Sequence, residues 1–261
     1  SLNNTVSELN KVQKRVTTGY KVADAVDDGA AFAVAQSLRS EKGAIEAVNS
    51  QLNVAKGNVA VYTSAATSIS DALGRARATL TKLADENTTS DMRKKYMEDF
   101  TELKGEVQNY IAGAKFNDKN LLSGSTTSIT VIANTDGTQY TIGSGGSLAM
   151  SAAIVSAFNL TAGATASAAR TLLTGKFKNA ETKAGDVLNS LGADTRRLDA
   201  QIKFNSSLAD ALTTSLGAIV DADLAKESAN LQALQIKQQL GAQTLGIANS
   251  APQVLSSLFR G

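Results

Sequence analysis

The side chains able to do chemistry in this chain are few in kind. It carries 24 Asp and Glu, 26 Lys and Arg and 5 Tyr, but no His and no Cys. That closes the Ser-His-Asp and Cys-His routes to a nucleophile, zinc sites built on Cys or His, and any disulfide. Carboxylate groupings remain. One is Asp27-Asp28, and the other is Asp221 and Asp223 with Glu227. Glu227 follows Asp223 by one helical turn, a spacing that offers oxygen ligands to a hard cation. The competing reading is helix-terminal charge and salt bridges within a packing motif. Arg39 and Arg196-Arg197 suit a phosphate or an acidic polysaccharide, or else ordinary ion pairing and solvent. Asn205-Ser206-Ser207 is an Asn-x-Ser triplet inside an expected helix, a chance match. Neither a phosphate-binding loop nor a dinucleotide fingerprint is present. No catalytic residue, metal ligand or cofactor is expected, and the chain does not read as an enzyme.

The elements around these residues are long helices. The chain has 261 residues, a net charge of +2, one Pro, no Trp and 5% aromatic residues. Small apolar residues with almost no Pro favour long helices with narrow contact seams. No apolar run is long enough to span a membrane. Between Ile45 and Leu83, steps of three and four residues meet an apolar side chain every time: Ile45, Val48, Leu52, Ala55, Val59, Tyr62, Ala66, Ile69, Leu73, Ala76, Leu80 and Leu83. Such a 3.5-residue repeat predicts a coiled-coil-like helix, roughly 58 Å long over this stretch. A second helix is expected after the polar link at 85–89, capped by Thr89 or Ser90, with a seam of Tyr96, Phe100, Leu103, Val107, Tyr110 and Ala114. A third runs from about Ala166 to Leu216, with Leu173, Phe177, Leu191, Leu198 and Ile202 near one face. Asp194 and Asn205 interrupt that stripe; either the repeat drifts there, or a polar residue sets the register between helices.

From Gly124 to Ala166 the period changes. Ser128-Ile129-Thr130-Val131-Ile132 and Gln139-Tyr140-Thr141-Ile142 flank a turn at Asn134-Thr135-Asp136-Gly137, which predicts a β-hairpin. The stretch from Gly143 to Ala168 reads as loop and weak structure. The fold class is therefore mainly α: an elongated coiled-coil-like helical bundle with one small β-hairpin region. At the C-terminal end one stripe becomes two. Val220, Leu224, Leu231, Leu234, Leu245, Ala248 and Leu255 form the first; Ile236, Leu240, Ile247, Val254 and Leu258 form the second, nearly opposite. The N-terminal Leu2, Val6, Leu9, Val12 and Val16 are the natural partner for the first stripe. The second needs another chain, or a tail that stays poorly ordered alone.

Several stretches then become familiar. Arg15-Val16-Thr17-Thr18-Gly19, Ala25-Val26-Asp27-Asp28-Gly29-Ala30-Ala31, Phe116-Asn117 and Leu121-Leu122-Ser123-Gly124 come in the order found in bacterial flagellin. They are followed by Asp221-Ala222-Asp223-Leu224-Ala225-Lys226-Glu227 and by Ala248-Asn249-Ser250-Ala251-Pro252-Gln253-Val254-Leu255-Ser256-Ser257-Leu258-Phe259-Arg260. The chain resembles that family over nearly its full length. The resemblance implies a structural subunit that polymerises into the flagellar filament for motility, outside the cell, after export without a cleaved signal peptide. It implies as partners other copies of the chain in a helical homopolymer, the flagellar type III export apparatus, an export chaperone and a filament cap; nucleic acid is not among them. The alternative is a flagellin-like cell-surface protein that binds an acidic polysaccharide.

The expected division is a terminal helix with its connecting segment (1–35), core helices (36–123), a short variable region (124–165), a C-terminal core helix (166–218) and a terminal-domain helix (219–261). The residues expected to pack terminal helices in a filament are Leu2, Leu9, Val16, Leu224, Leu231, Leu234, Ile236, Leu240, Leu245, Ile247, Val254, Leu255 and Leu258. Those expected in the core bundle are Ile45, Leu52, Val59, Ile69, Leu73, Leu80, Phe100, Leu103, Val107, Leu173, Phe177, Leu191, Leu198 and Ile202. By the same resemblance a further helical stretch is expected ahead of Leu2. Flagellins sensed by the vertebrate flagellin receptor carry Arg-x-Arg followed by Glu and Leu; here Arg75-Ala76-Arg77 is followed by Ala78-Thr79, so that recognition is not expected.

Overall fold

A computed structural model of the chain describes residues 2–258, with side chains described as far as Ala248. The order is α1 (Leu2–Thr18), α2 (Gly29–Leu83), α3 (Ser90–Gly113), β1 (Ile129–Ile132), β2 (Gln139–Ile142), α4 (Ser151–Ala157), α5 (Ala166–Leu172), α6 (Lys178–Val220) and α7 (Leu224–Leu258). It is a mainly α chain with one two-stranded antiparallel sheet. Two compact units divide it. The first holds the two ends, up to Gly43 and from Leu208; the second holds Ala44–Ser207.

In the second unit, every position of the 3.5-residue series from Ile45 to Leu83 is buried except Val48, which is partly buried. Ala55, Ala66 and Ala76 let neighbouring helices approach closely. The larger Tyr62, Leu73 and Leu80 fill the space between, so the seam has volume without thickness. α3 begins as its sequence dictates: Thr89 is the N-cap, its hydroxyl accepting from the Met92 N–H at 3.4 Å, and Asp91 sits in the first turn. Phe100 from α3 meets Phe158 at 4.8 Å between ring centres, and Phe177 at 6.4 Å. Those three rings supply the bulk that the Ala-rich α2 lacks. At the edges, Arg75 pairs with Glu106 at 2.5 Å, Arg77 with Glu181, and Lys56 with Asp199 at 2.6 Å. These join α2 to α3 and α6, although exposed pairs of this kind contribute only about 0–1 kcal/mol each.

The hairpin forms in the expected place, with Ile129 opposite Ile142 and Ile132 opposite Gln139. Its loop is closed by Ala133 N–H to Thr138 O at 2.7 Å, and by the Asn134 and Asp136 side chains, which both accept from the Thr138 N–H. Gly137 takes φ of 84°, open to glycine at little cost.

Two features differ from the sequence expectations. The stretch expected to be loop contains α4, where Ile154 and Ala157 are buried, with Phe158 buried at its C-cap. A seven-residue helix of Ser, Ala, Ile and Val shows too few repeats for its period to be read, and tertiary burial decides it. The third helix is also not a uniform α-helix. Leu173–Phe177 form a π-turn between α5 and α6. The wide turn re-aims the apolar stripe, so that Ala169 and Leu172 before it, Phe177 at its end and Ala180 after it are all buried.

The first unit is built on α1 lying along α7. Its small core is Val22, Ala35 and Val220, with Ala31, Phe32, Leu216 and Ile219 packed against them.

Candidate functional site

The N-terminal helix and its connecting segment are locked by charge. α1 ends at Gly19, whose φ is 76° and whose N–H returns to the Arg15 carbonyl at 2.8 Å. The chain then crosses to the end of α6, with Lys21 N–H on Val220 O at 2.8 Å and Ala222 N–H on Gly19 O at 2.9 Å. Lys14 reaches back from α1 to Asp24 at 2.7 Å and Asp27 at 2.9 Å. Those bonds hold both carboxyls below the usual carboxylate range and raise the Lys14 ammonium.

The two tempting carboxylate groupings are absorbed by this joint. Asp28 caps α2, accepting from the Ala31 N–H at 3.0 Å. Asp223 caps α7, accepting from Ala225 and Lys226 N–H at 3.1 Å. Glu227 is buried and paired with Arg15 at 3.3 Å. Among the described residues no cluster of three or more His, Cys, Asp or Glu is arranged to hold a metal ion. No described helix is long and apolar enough to cross a membrane.

The surface of interest is α7 itself. On the face toward α1, Leu234 is buried and Leu231 partly so, against a helix on which Val12 is buried and Leu2, Leu9 and Val16 are partly buried. Gly241 lets α1 come close: a Cβ there would lie 2.9 Å from the Leu2 Cδ1. Leu224 and Leu245, although on the same stripe, are about half exposed. On the opposite face Ile236 is 57% exposed, Leu240 55% and Ile247 69%. Steps of four and seven residues put these three within about 40° of one another around the helix. Val254, Leu255 and Leu258 have side chains outside the described residues.

Of the core-bundle residues, Ile45, Leu52, Val59, Ile69, Leu73, Leu80, Phe100, Val107, Phe177, Leu191 and Leu198 are buried. Leu103, Leu173 and Ile202 are partly buried.

Sequence reasoning missed why Asp194 and Asn205 break the α6 stripe. They receive the hairpin. The Tyr140 hydroxyl donates to Asp194 Oδ1 at 2.5 Å, and the Arg197 guanidinium lies over the Tyr140 ring at 4.1 Å. Asn205 and Gln201 both donate to the Ala133 carbonyl, at 3.0 and 3.1 Å. Neither drift of the repeat nor helix register accounts for them. The signal available in sequence was the polar interruption itself: Asp194, Gln201 and Asn205 stand seven and four residues apart, on one face of the helix.

Residues 1–127 match the description "Bacterial flagellin N-terminal helical region", and residues 175–259 match "Bacterial flagellin C-terminal helical region". Flagellin FljK of Caulobacter vibrioides is 36% identical over 260 residues, covering 100% of this chain and 94% of that protein. A flagellin of Brucella melitensis is 33% identical, covering 100% and 95%. In fold, the chain resembles the crystal structure of Bacillus cereus flagellin (TM-score 0.52, 21% identity, 59% of this chain and 88% of that one). A putative flagellar hook-associated protein from Vibrio parahaemolyticus aligns with TM-score 0.60 at 15% identity, over 75% of this chain and 100% of that one.

Proposed function

The chain belongs to the bacterial flagellins, extracellular structural subunits of the flagellar filament, and from that premise we propose that the outward face of α7 is where copies of this chain pack against one another. The observation that carries this is the exposure of Ile236 and Leu240, on the side of α7 turned away from α1. Large apolar side chains aligned on one helix face are stabilised by a second apolar surface, and contacts that do not close into a ring extend as a helical polymer. The residues of α1 and α7 named above as terminal-helix packing, and the five-part division of the chain, belong to this reading. So does passage through the flagellar type III export apparatus, with an export chaperone and a filament cap as partners and no cleaved signal peptide; family membership is the support for each. A surface-ligand role has no observation favouring it, and Arg197, one of its candidate residues, is engaged with Tyr140.

The experiment is growth on filament seeds followed by electron microscopy. Purified chain elongates sheared seeds. Ile236→Asp and Leu240→Asp variants keep the helical circular dichroism of the parent, because both side chains are exposed, yet elongate about tenfold more slowly or worse. Variants that grow at the parent rate refute the assignment of this face, and a parent that never extends seeds refutes the polymer reading.

A further inference from the structure

α7 buries the less apolar of its two sides. Its buried and partly buried positions run Glu227, Leu231, Leu234, Gln238 and Gly241, in steps of four and three. The opposite series is Ala229, Ala233, Ile236, Leu240, Gln243 and Ile247, and all of these are exposed. Only Gln243 among them is polar, so apolar area by itself would turn that series toward α1. Some other contact decides the side. Residues 224–226 are exposed, which makes Glu227 the first buried side chain of α7. It meets Arg15 at 3.3 Å, a partly buried residue that follows the buried Val12 by one turn of α1. The inward side of α7 therefore begins with a charge, and that charge has its partner on α1.

The pair is poorly suited to adding stability. Burial strips water from both charges, and Glu227 Oε2 is buried with no hydrogen-bond partner among the described residues. What a buried ion pair supplies in a helix seam is a choice of arrangement, because any other pairing strands both charges. The nearest backbone bond, Ala222 N–H to Gly19 O, lies outside α7. Within the helix, Glu227 is the first side chain to reach α1. We infer that Arg15 and Glu227 are positioning residues for assembly: their pairing selects the side of α7 that lies on α1 and so keeps the more apolar side, with Ile236 and Leu240, turned outward. This rests on the filament reading and adds to it the reason an apolar stripe stays uncovered in the single chain. A helix with two apolar sides discriminates between them by a difference of free energies, and one misplaced charge pair is enough to set that difference.

The test uses the full chain, whose lack of Cys leaves only the thiols introduced. Leu2→Cys with Gly241→Cys reports the packed arrangement, since a Cβ at 241 lies 2.9 Å from the Leu2 Cδ1 that the substitution removes. Leu2→Cys with Gln243→Cys reports the opposite side, about 200° round the helix from 241. In dilute single chains the first pair closes on oxidation, and the second closes about tenfold more slowly or worse. Arg15→Gln with Glu227→Gln, placed in both backgrounds, removes the charges and keeps polar side chains. The second bridge then forms about as fast as the first, and without the thiols the same variant elongates seeds about tenfold more slowly. Arg15→Glu with Glu227→Arg restores the first bridge and the growth. A neutral pair that still closes only the first bridge overturns the inference, whatever its growth. Loss of both bridges shows that the pair holds the helices together without choosing a side, and overturns it too, as does a reversed pair that fails to restore the first bridge. Neither residue lies in the Ala44–Ser207 unit, whose unfolding transition is the folding control. The bridges are read in single chains, so a parent that never extends seeds overturns the filament reading while the bridges still decide what the pair does.

Discussion

Replacing Tyr140 by Phe removes one oxygen and leaves the ring under Arg197 in place. The hydroxyl donates to Asp194 Oδ1 at 2.5 Å, and the ring is 4% exposed, so a single bond between hairpin and helix is deleted with little change in packing. Hydrogen bonds to charged groups contribute about 1.5–3 kcal/mol. Asp194 is partly exposed, which favours the low end, about 1.5 kcal/mol. In a unit of this size that corresponds to a melting temperature lower by about 3–6 °C at pH 7. The pH dependence is a second, independent consequence. Burial, and then the Asp194 carboxylate, push the Tyr140 phenol up to about 12, against about 10 in an unfolded chain. Between those values the unfolded chain has lost the proton and the folded chain still holds it, so the stabilisation is full below about pH 10 and declines as pH rises toward 12. The gap between parent and Tyr140→Phe melting temperatures should therefore be constant from pH 7 to about 10 and close above it, as followed by circular dichroism. A variant as stable as the parent at pH 7, or a gap that widens above pH 10, refutes the reasoning.

Other expectations follow from the same contacts. Asn205→Ala leaves the Ala133 carbonyl with Gln201 alone and costs about 1–2 kcal/mol; hydrogen exchange at the Ala133 amide, at the hairpin's turn, should speed up. Leu80→Ala empties a fully buried seam position and should cost about 2–5 kcal/mol in urea unfolding, whereas Ile236→Ala, exposed in the single chain, should leave that transition almost unchanged. Lys14→Met removes the partner that holds Asp24 and Asp27 below their ordinary range. Their contribution is present above roughly pH 4 and is lost as pH falls through the lowered folded values, so the variant's acid transition should move to higher pH. An unchanged acid midpoint would show that the Lys14 bonds do not contribute to stability.

What was legible in the residues depended on repetition. The Ile45–Leu83 seam repeats an apolar side chain at every third or fourth position, and a period sustained that long has one structural reading. The hairpin was legible from Asn134-Thr135-Asp136-Gly137, because a turn that needs positive φ calls for residues such as Gly137. α4 was not legible, since seven residues of mostly Ala, Ser and Val carry no sustained period. The two stripes of α7 could be written down from spacing alone. That Ile236 and Leu240 are the exposed pair, while Leu234 is buried on α1, required the packed structure.

The order of the apolar and polar residues by itself determined that this chain forms long helices with a hairpin between them, because local geometry converts spacing directly into faces. Tertiary structure alone decided what the exceptions are for. Asp194 and Asn205 looked like faults in a stripe until the hairpin arrived over them. For Glu227 and Asp223 the spacing left open a cation site or helix-terminal charge and ion pairing, and the structure pairs one with Arg15 and caps α7 with the other. A polar residue's role is set by the group that satisfies it, and for Asp194, Asn205 and Glu227 that group lies 54, 72 and 212 residues away along the chain, where no local pattern points.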